Sequence, residues 1–346
     1  MPFGYYSFVR PLIARLDPET AHRAALWALK HRLVPAANPK AYPNLELTVW
    51  GHRFTNPIGI AAGFDKNAEC IVPLSHQGFG FIEAGTVTPR PQEGNSRPRI
   101  FRLEKERGVI NRLGFNNMGM AVFVANLERA VPRTCVLGAN LGRNVDAADP
   151  IGDYVTLLGA VYPHCDYITI NISSPNTAGL RGMQGKSPLT ALLSELRAKR
   201  EEMMRYRYPR LPLLVKIAPD LNEAEMDDIA EVALAGCDGL IVSNTTIQHS
   251  GEKGGLSGAP LFARSTEVLR AMYARIQGKI PLIGVGGISS GADAYAKICA
   301  GASLVQLYTA LTYEGFELVD RMKSELSALL ERDGFKSVAE AVGARK

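Results

Sequence analysis

Two asparagine-rich stretches carry most of the chemistry in this chain, Asn171-Ile-Ser-Ser-Pro-Asn-Thr177 and Asn111-Arg-Leu-Gly-Phe-Asn-Asn117. An amide side chain both donates and accepts, and burying one costs free energy unless its hydrogen bonds are made. Several amides directed at one place therefore imply a polar ligand. Around them stand Lys66 in Ala61-Ala-Gly-Phe-Asp-Lys-Asn67, Lys216 at the end of Leu213-Leu-Val-Lys, and Ser243-Asn-Thr-Thr246. A lysine that ends an apolar run is poorly placed to snorkel to water, which favours a role for its charge. Ser174 precedes Pro175, and from its own surroundings it reads as a turn residue. As a general base a hydroxyl is weak and would need a proton path. The glycines of Gly284-Val-Gly-Gly287 and the turn after Gln306 would let backbone N–H groups approach a phosphate closely, where the plain alternative is a pair of tight turns.

What must position these groups is a repeat of strand and helix. Eight short apolar runs follow residue 58, at 58–62, 80–84, 136–140, 167–171, 213–217, 239–243, 282–285 and 304–307. Continuous apolarity fits parallel strands covered on both faces. Between them lie helical patterns at 189–206, 223–235 and 265–276. Eight such units over about 250 residues make an α/β fold, a (β/α)8 TIM barrel. The doubly wound alternative lacks its G-x-G-x-x-G. The polar groups above all follow the ends of these runs, the face on which such barrels carry active sites. Residues 45–54 read as an extra hairpin closing the other end.

Composition narrows the class. Of 346 residues 46% are hydrophobic and 21% charged, with 33 Gly and 21 Pro, which argues against disorder and collagen-like repeats. No apolar run reaches the length of a membrane-spanning helix. Neither a signal pattern nor an Arg- and Ser-rich presequence opens the chain, so a cytoplasmic-side location is expected. The five Cys include no C-x-x-C and the six His no H-E-x-x-H, so no metal is expected and the thiols read as buried and reduced. The net charge of +5 is concentrated in residues 1–42, which hold six basic residues against two acidic ones. Tyr5, Val9, Leu12 and Leu16 form one helical stripe. After the Asp17-Pro18-Glu19 helix start, His22, Leu26, Leu29 and Leu33 form a second. Such a basic, aromatic hairpin suits an anionic membrane surface, or else packs on its own domain. The charge is too small and too mixed with leucine for nucleic acid.

Taken together, the Asn171–Thr177 and Asn111–Asn117 motifs, Lys216-Ile-Ala-Pro219, Ser243–Thr246 and Gly255-Leu-Ser-Gly258 closely resemble the dihydroorotate dehydrogenases. The similarity runs along essentially the whole chain. Ser rather than Cys at position 174, and the N-terminal extension, resemble the quinone-reducing class 2 form of bacterial type. The resemblance implies two parts, a helical hairpin at 1–42 for membrane surface and quinone access, and an FMN-binding barrel at 43–346. It implies one non-covalent FMN, dihydroorotate as substrate and a membrane quinone as acceptor, with no obligatory protein partner. The expected location is peripheral, on the cytoplasmic side of the inner membrane.

By the same resemblance Ser174 is the catalytic base. The substrate contacts would be Lys66, Asn111, Arg112, Leu113, Gly114, Phe115, Asn171, Asn176, Asn244 and Thr245. The flavin contacts would be Ala62, Gly63, Phe64, Asp65, Lys66, Thr86, Asn140, Asn171, Lys216, Ser243, Gly258, Gly287, Tyr308 and Thr309. Quinone would pass His22, Arg102 and Tyr308, although Arg102 could equally be a salt-bridged arginine. Two other readings compete: an FMN barrel acting on a related pyrimidine, and a degenerate barrel kept as a binding module. The intact set of Ser174, Lys66, Lys216 and asparagines speaks against the second.

Overall fold

A computed structural model describes residues 5–38 and 40–344. Of the two expected parts, residues 1–4, 39 and 345–346 lie outside the described residues.

The chain begins with helix α1 (Tyr5–Ile13) and helix α2 (Pro18–Lys30). Asp17 caps α2 as its sequence predicts, its carboxylate accepting from Thr20 N at 2.9 Å. A hairpin follows, β1 (Leu47–Val49) with β2 (His52–Phe54). Trp50 at its tip donates from Nε1 to Asp238 O at 2.7 Å, just ahead of a barrel strand, so the hairpin covers the N-terminal strand ends.

The chain then enters the barrel with β3 (Ile58–Ile60) and β4 (Phe81–Val87). It leaves for β5 (Ile100–Leu103) and β6 (Gly108–Asn111), and returns with β7 (Val136–Leu141), β8 (Tyr167–Asn171), β9 (Leu213–Ile217) and β10 (Gly239–Val242). A second departure forms β11 (Gly255–Gly258), before β12 (Leu282–Val285) and β13 (Leu304–Leu307) finish the circuit. All eight strands expected from the apolar runs are present, and they close as a parallel barrel in which β13 pairs with β3. The excursions, which the sequence reading did not anticipate, meet in a three-stranded antiparallel sheet ordered β11-β6-β5.

Every residue of β4, β7, β8, β9, β10, β12 and β13 is buried. Side chains alternate along a strand, so β4 sends Phe81 and Glu83 to one side and β8 sends Tyr167, Thr169 and Asn171. The rings of Phe81 and Tyr167 fill the lower interior, 6.4 Å apart. Gly138 makes room for them, since a Cβ there would stand 2.1 Å from the Tyr167 ring. Above the rings the interior turns polar, and that polar layer supports the site.

Candidate active site

The C-terminal strand ends, the three-stranded sheet and the two N-terminal helices enclose one cavity of about 610 Å³. From the barrel floor come Lys216 at the end of β9 and Asn171 at the end of β8, both buried. Burial pushes the Lys216 amine below its ordinary range, although Glu83 opposes the shift. Lys216 is buried and lines the cavity, and the Glu83 charge partly compensates its own. Thr86 at the end of β4 donates from Oγ1 to Asn140 Oδ1 at 2.5 Å and receives Asn171 Nδ2 at 3.1 Å.

Lys66 stands on the loop after β3. That loop is laced to its neighbour by Gly63 N to Gly85 O at 2.7 Å and Gly85 N to Asp65 O at 2.9 Å. The Asp65 carboxylate is spent inside the loop, accepting from Glu69 N and Cys70 N at 2.8 and 2.7 Å. Burial raises its pKa to about 6. Lys66 donates to Gly63 O at 2.9 Å, and burial lowers its amine to about 8. It is still cationic at neutral pH, and it lines the cavity.

Opposite lies the segment after β6. Asn111, Leu113, Gly114 and Phe115 line the cavity with Ser174, Asn176, Asn244 and Thr245. Asn176 Nδ2 donates to Asn111 O at 3.1 Å, tying the β8 loop to the excursion sheet. Ser174 is buried and its Oγ receives Asn176 N at 3.3 Å. Three residues on, Thr177 is buried with a hydroxyl that has no partner among the described residues. Its signal in the sequence was only its place in the Asn171–Thr177 motif, and the sequence reading gave it no role.

At the last two barrel units Gly286 and Gly287 have φ of +106° and +77°, a backbone that L side chains rarely adopt. A Cβ on Gly287 would stand 2.5 Å from Phe262 Cα and 2.6 Å from its N. Gly258 is equally confined, with φ +88° and Arg107 O 2.4 Å from any Cβ. Ser243, Gly258, Gly287, Tyr308 and Thr309 all line the cavity here. The buried lysine, the amide and hydroxyl wall and the glycine backbone beside them suit a planar polar ring carrying an anionic group.

The outer end of the cavity runs between α1 and α2. Tyr5, Val9 and Ile13 of α1 line it, whereas Phe8 and Leu12 face outward at 73% and 66% exposure. The single stripe expected for this helix is thus split between two faces, and Leu16 falls beyond the helix end. The second stripe also ends early: α2 stops at Lys30, and Leu33 lies outside it. Leu29 is buried in the core and His22 lines the cavity. The His22 ring packs edge-on to Phe64 at 5.2 Å, and its Nδ1 lies 3.4 Å from Tyr308 Oη. Burial, with Lys66 adding to it, lowers the His22 pKa to about 3, so this ring is neutral. Burial likewise raises the Tyr308 phenol. Arg102 on β5 lines the cavity and donates from Nη1 to Ala14 O and Leu16 O at 3.1 and 3.0 Å, holding the exit of α1 by its carbonyls rather than by an ion pair.

Three of the residues expected at the site do not line the cavity. Arg112 turns away, donating to Pro98 O at 2.8 Å and stacking 4.9 Å from the Phe101 ring centre. Asp65 serves its own loop, and Asn140 lies fully buried one layer below, bonded to Thr86 and Asn171. The remaining expected residues come together around the one cavity.

Fold and site together define a (β/α)8 barrel enzyme with a polar pocket at its C-terminal strand ends. A sequence profile described as "Dihydroorotate dehydrogenase" matches residues 44–330. Relatives called dihydroorotate dehydrogenase (quinone) are 52% identical in Azorhizobium caulinodans and 53% in Parvibaculum lavamentivorans, each alignment covering 98% of both chains. The mitochondrial protein of that name from Oryza sativa is 50% identical, with 99% of this chain and 80% of that one covered. The Eimeria tenella enzyme crystallised with ferulenol superposes with a TM-score of 0.92 at 41% identity, covering 95% of each chain. The chain belongs to the dihydroorotate dehydrogenase family.

Proposed function

We infer that this protein oxidises dihydroorotate to orotate and passes the electrons to a quinone, a step of pyrimidine biosynthesis. One observation carries the reading: a single cavity joins two chemically different ends. The inner end offers amides, hydroxyls and two lysines. The outer end is a cleft between two apolar helices. A polar pyrimidine suits the first and a hydrophobic quinone the second, with a redox group between them.

A bound FMN would supply the acceptor for the C6 hydride of dihydroorotate and the electrons for the quinone. Lys216, the Asn171 and Thr86 pair, Ser243, Thr309 and the backbone at Ala62–Gly63 would hold its ring, and Gly258 with Gly286–Gly287 its phosphate. The Lys216 charge favours negative charge developing on that ring, because a preorganised cation in a dry site needs no reorganisation. Lys66 pairs with the substrate carboxylate. Asn111, Asn176 and Asn244 present donors and acceptors to the neutral ring and fix C5 over Ser174. Ser174 Oγ would take the C5 proton as it gives up its own hydroxyl proton. No carboxylate or imidazole bonds to it among the described residues, and the buried, partnerless Thr177 hydroxyl three residues on is the group we assign to the path by which that proton leaves.

At the outer end neutral His22 and Tyr308 supply polar contacts to the quinone oxygens. Four exposed apolar side chains surround that end, Phe8, Leu12, Trp27 and Leu33, at 56–73% exposure. With the basic residues of the segment they suit peripheral attachment to an anionic membrane on its cytoplasmic face. No helix among the described residues is long and apolar enough to cross a membrane.

The test is Ser174→Ala. It should keep its yellow flavin and bind orotate, while flavin reduction by dihydroorotate slows by orders of magnitude. Near-normal reduction would remove Ser174 as the base.

A further inference from the structure

We propose that Glu83 is a positioning residue, whose charge fixes the direction of a hydrogen-bond relay from the barrel core to the amides that contact flavin and pyrimidine. The proposal rests on the functional reading above. Glu83 lies midway along β4 with 1% of its surface exposed. Its Oε1 receives Asn140 Nδ2 at 2.7 Å. Its Oε2 receives Tyr167 Oη, Thr169 Oγ1 and Gln306 Nε2 at 3.1, 3.0 and 3.0 Å. Four donors on two oxygens suit an ionised carboxylate, which can only accept.

That constraint propagates. Asn140 must turn its NH2 toward Glu83 and its carbonyl upward, where Oδ1 receives Thr86 Oγ1 at 2.5 Å and Asn171 Nδ2 at 3.1 Å. Asn171 is left with Oδ1 on its far side, accepting from Ser173 Oγ at 2.9 Å and Ser173 N at 3.3 Å. The Ser173 hydroxyl, its hydrogen committed, accepts from Asn244 Nδ2 at 3.0 Å. Asn244 Oδ1 receives Thr245 N at 2.8 Å. Side-chain donors therefore point back toward Glu83 all the way from the loop after β10. A backbone N–H pins the far end and the carboxylate pins the near end. Asn140 and Thr86 between them can each reverse, so the charge at the near end decides how Asn140, itself buried below the cavity, holds the Thr86 hydroxyl and the Asn171 amide that line it.

Glu83→Gln tests this without emptying the core. Gln306 Oε1 is buried with no partner among the described residues, so the new amide can turn its NH2 either there or toward Asn140, and the relay loses its single direction. The variant should fold and retain FMN. With selective 15N-asparagine labelling, the side-chain amide signals assigned to Asn140 and Asn171 should double or shift. The orotate dissociation constant, read from the flavin absorbance, should rise at least fivefold. A single native set of signals with orotate affinity within twofold of wild type would overturn the proposal. The swap Glu83→Gln with Gln306→Glu keeps the charge in the same cluster but takes it off Asn140. It should show the same defect, and native behaviour in the swap would also overturn the relay. Wild-type protein that failed to bind orotate would instead remove the functional reading itself.

Discussion

Glu19 in the first turn of α2 ties the N-terminal helices to the loop over the pyrimidine end, and its removal should disturb both. Its Oε1 receives Arg99 Nη2 at 2.6 Å and its Oε2 receives Arg99 Nε at 3.1 Å, a two-pronged pair. The side chains are 5% exposed at Arg99 and 13% at Glu19. Arg99 Nη1 also donates to Glu93 O and Asn95 O at 2.6 and 2.9 Å, and Asn95 Nδ2 continues to Asn176 O at 3.2 Å. Glu19→Ala would leave the Arg99 charge buried and unpaired. Breaking a fully buried pair costs about 3–5 kcal/mol, and the partial exposure of Glu19 lowers this to roughly 2–4 kcal/mol. Arg97 reaches the same carboxylate at 3.0 Å but is 60% exposed, so Arg97→Ala should cost about 0–1 kcal/mol. Hydrogen exchange in α2 of the FMN-loaded protein reads the difference. Local opening should rise roughly 30- to 1,000-fold in Glu19→Ala and a few-fold at most in Arg97→Ala. Arg99 holds the Glu19 carboxyl below its ordinary 4.5, so the pair is at full strength above that pH and is lost as pH falls through the lower folded value. Equal exchange in the two variants, or none above wild type, would refute the clamp.

Gly287→Ala must place a Cβ against the Phe262 backbone in a left-handed conformation, a strain of about 1–3 kcal/mol. FMN should bind about tenfold weaker, measured by fluorescence recovery on dissociation, and unchanged affinity would exclude Gly287 from the phosphate cradle. Lys66 titrates near 8 with the pocket empty, and a carboxylate ligand prefers its protonated form. Orotate affinity should therefore be flat below that pH and weaken above it toward about tenfold per pH unit, whereas affinity constant to pH 9.5 would contradict the pairing. Phe8→Ser with Leu12→Ser removes two exposed apolar groups that do not line the cavity. Sedimentation with anionic vesicles should fall about tenfold while flavin reduction by dihydroorotate stays native.

The barrel was legible because a parallel strand buried on both faces is a continuous apolar run. Even so, β4 runs on to Val87, three residues past the end of its apolar stretch, carrying the site residue Thr86. The excursion sheet was not legible. Its β11 reads Gly-Leu-Ser-Gly, without strand propensity, and pairs with a strand more than 140 residues earlier in the chain. Arg102 read as a quinone contact or a salt-bridged arginine and Glu19 as a first-turn acid, because their partners, the Ala14 and Leu16 carbonyls and Arg99, come from distant segments. Glu83 stood unnoticed inside an apolar run, since only the closed barrel shows that four donors converge on it. The split of α1 into a cavity face and an outward face was hidden for the same reason. Periodicity marks apolar stripes but does not say which of two neighbours each one meets.

The most direct measurement is anaerobic stopped flow on the FMN-loaded protein, following oxidised flavin absorbance after dihydroorotate and then after a short-chain quinone. The account predicts rapid bleaching by dihydroorotate and recovery on adding quinone. Flavin that stays oxidised with dihydroorotate, or that bleaches and is not reoxidised by quinone, would contradict it.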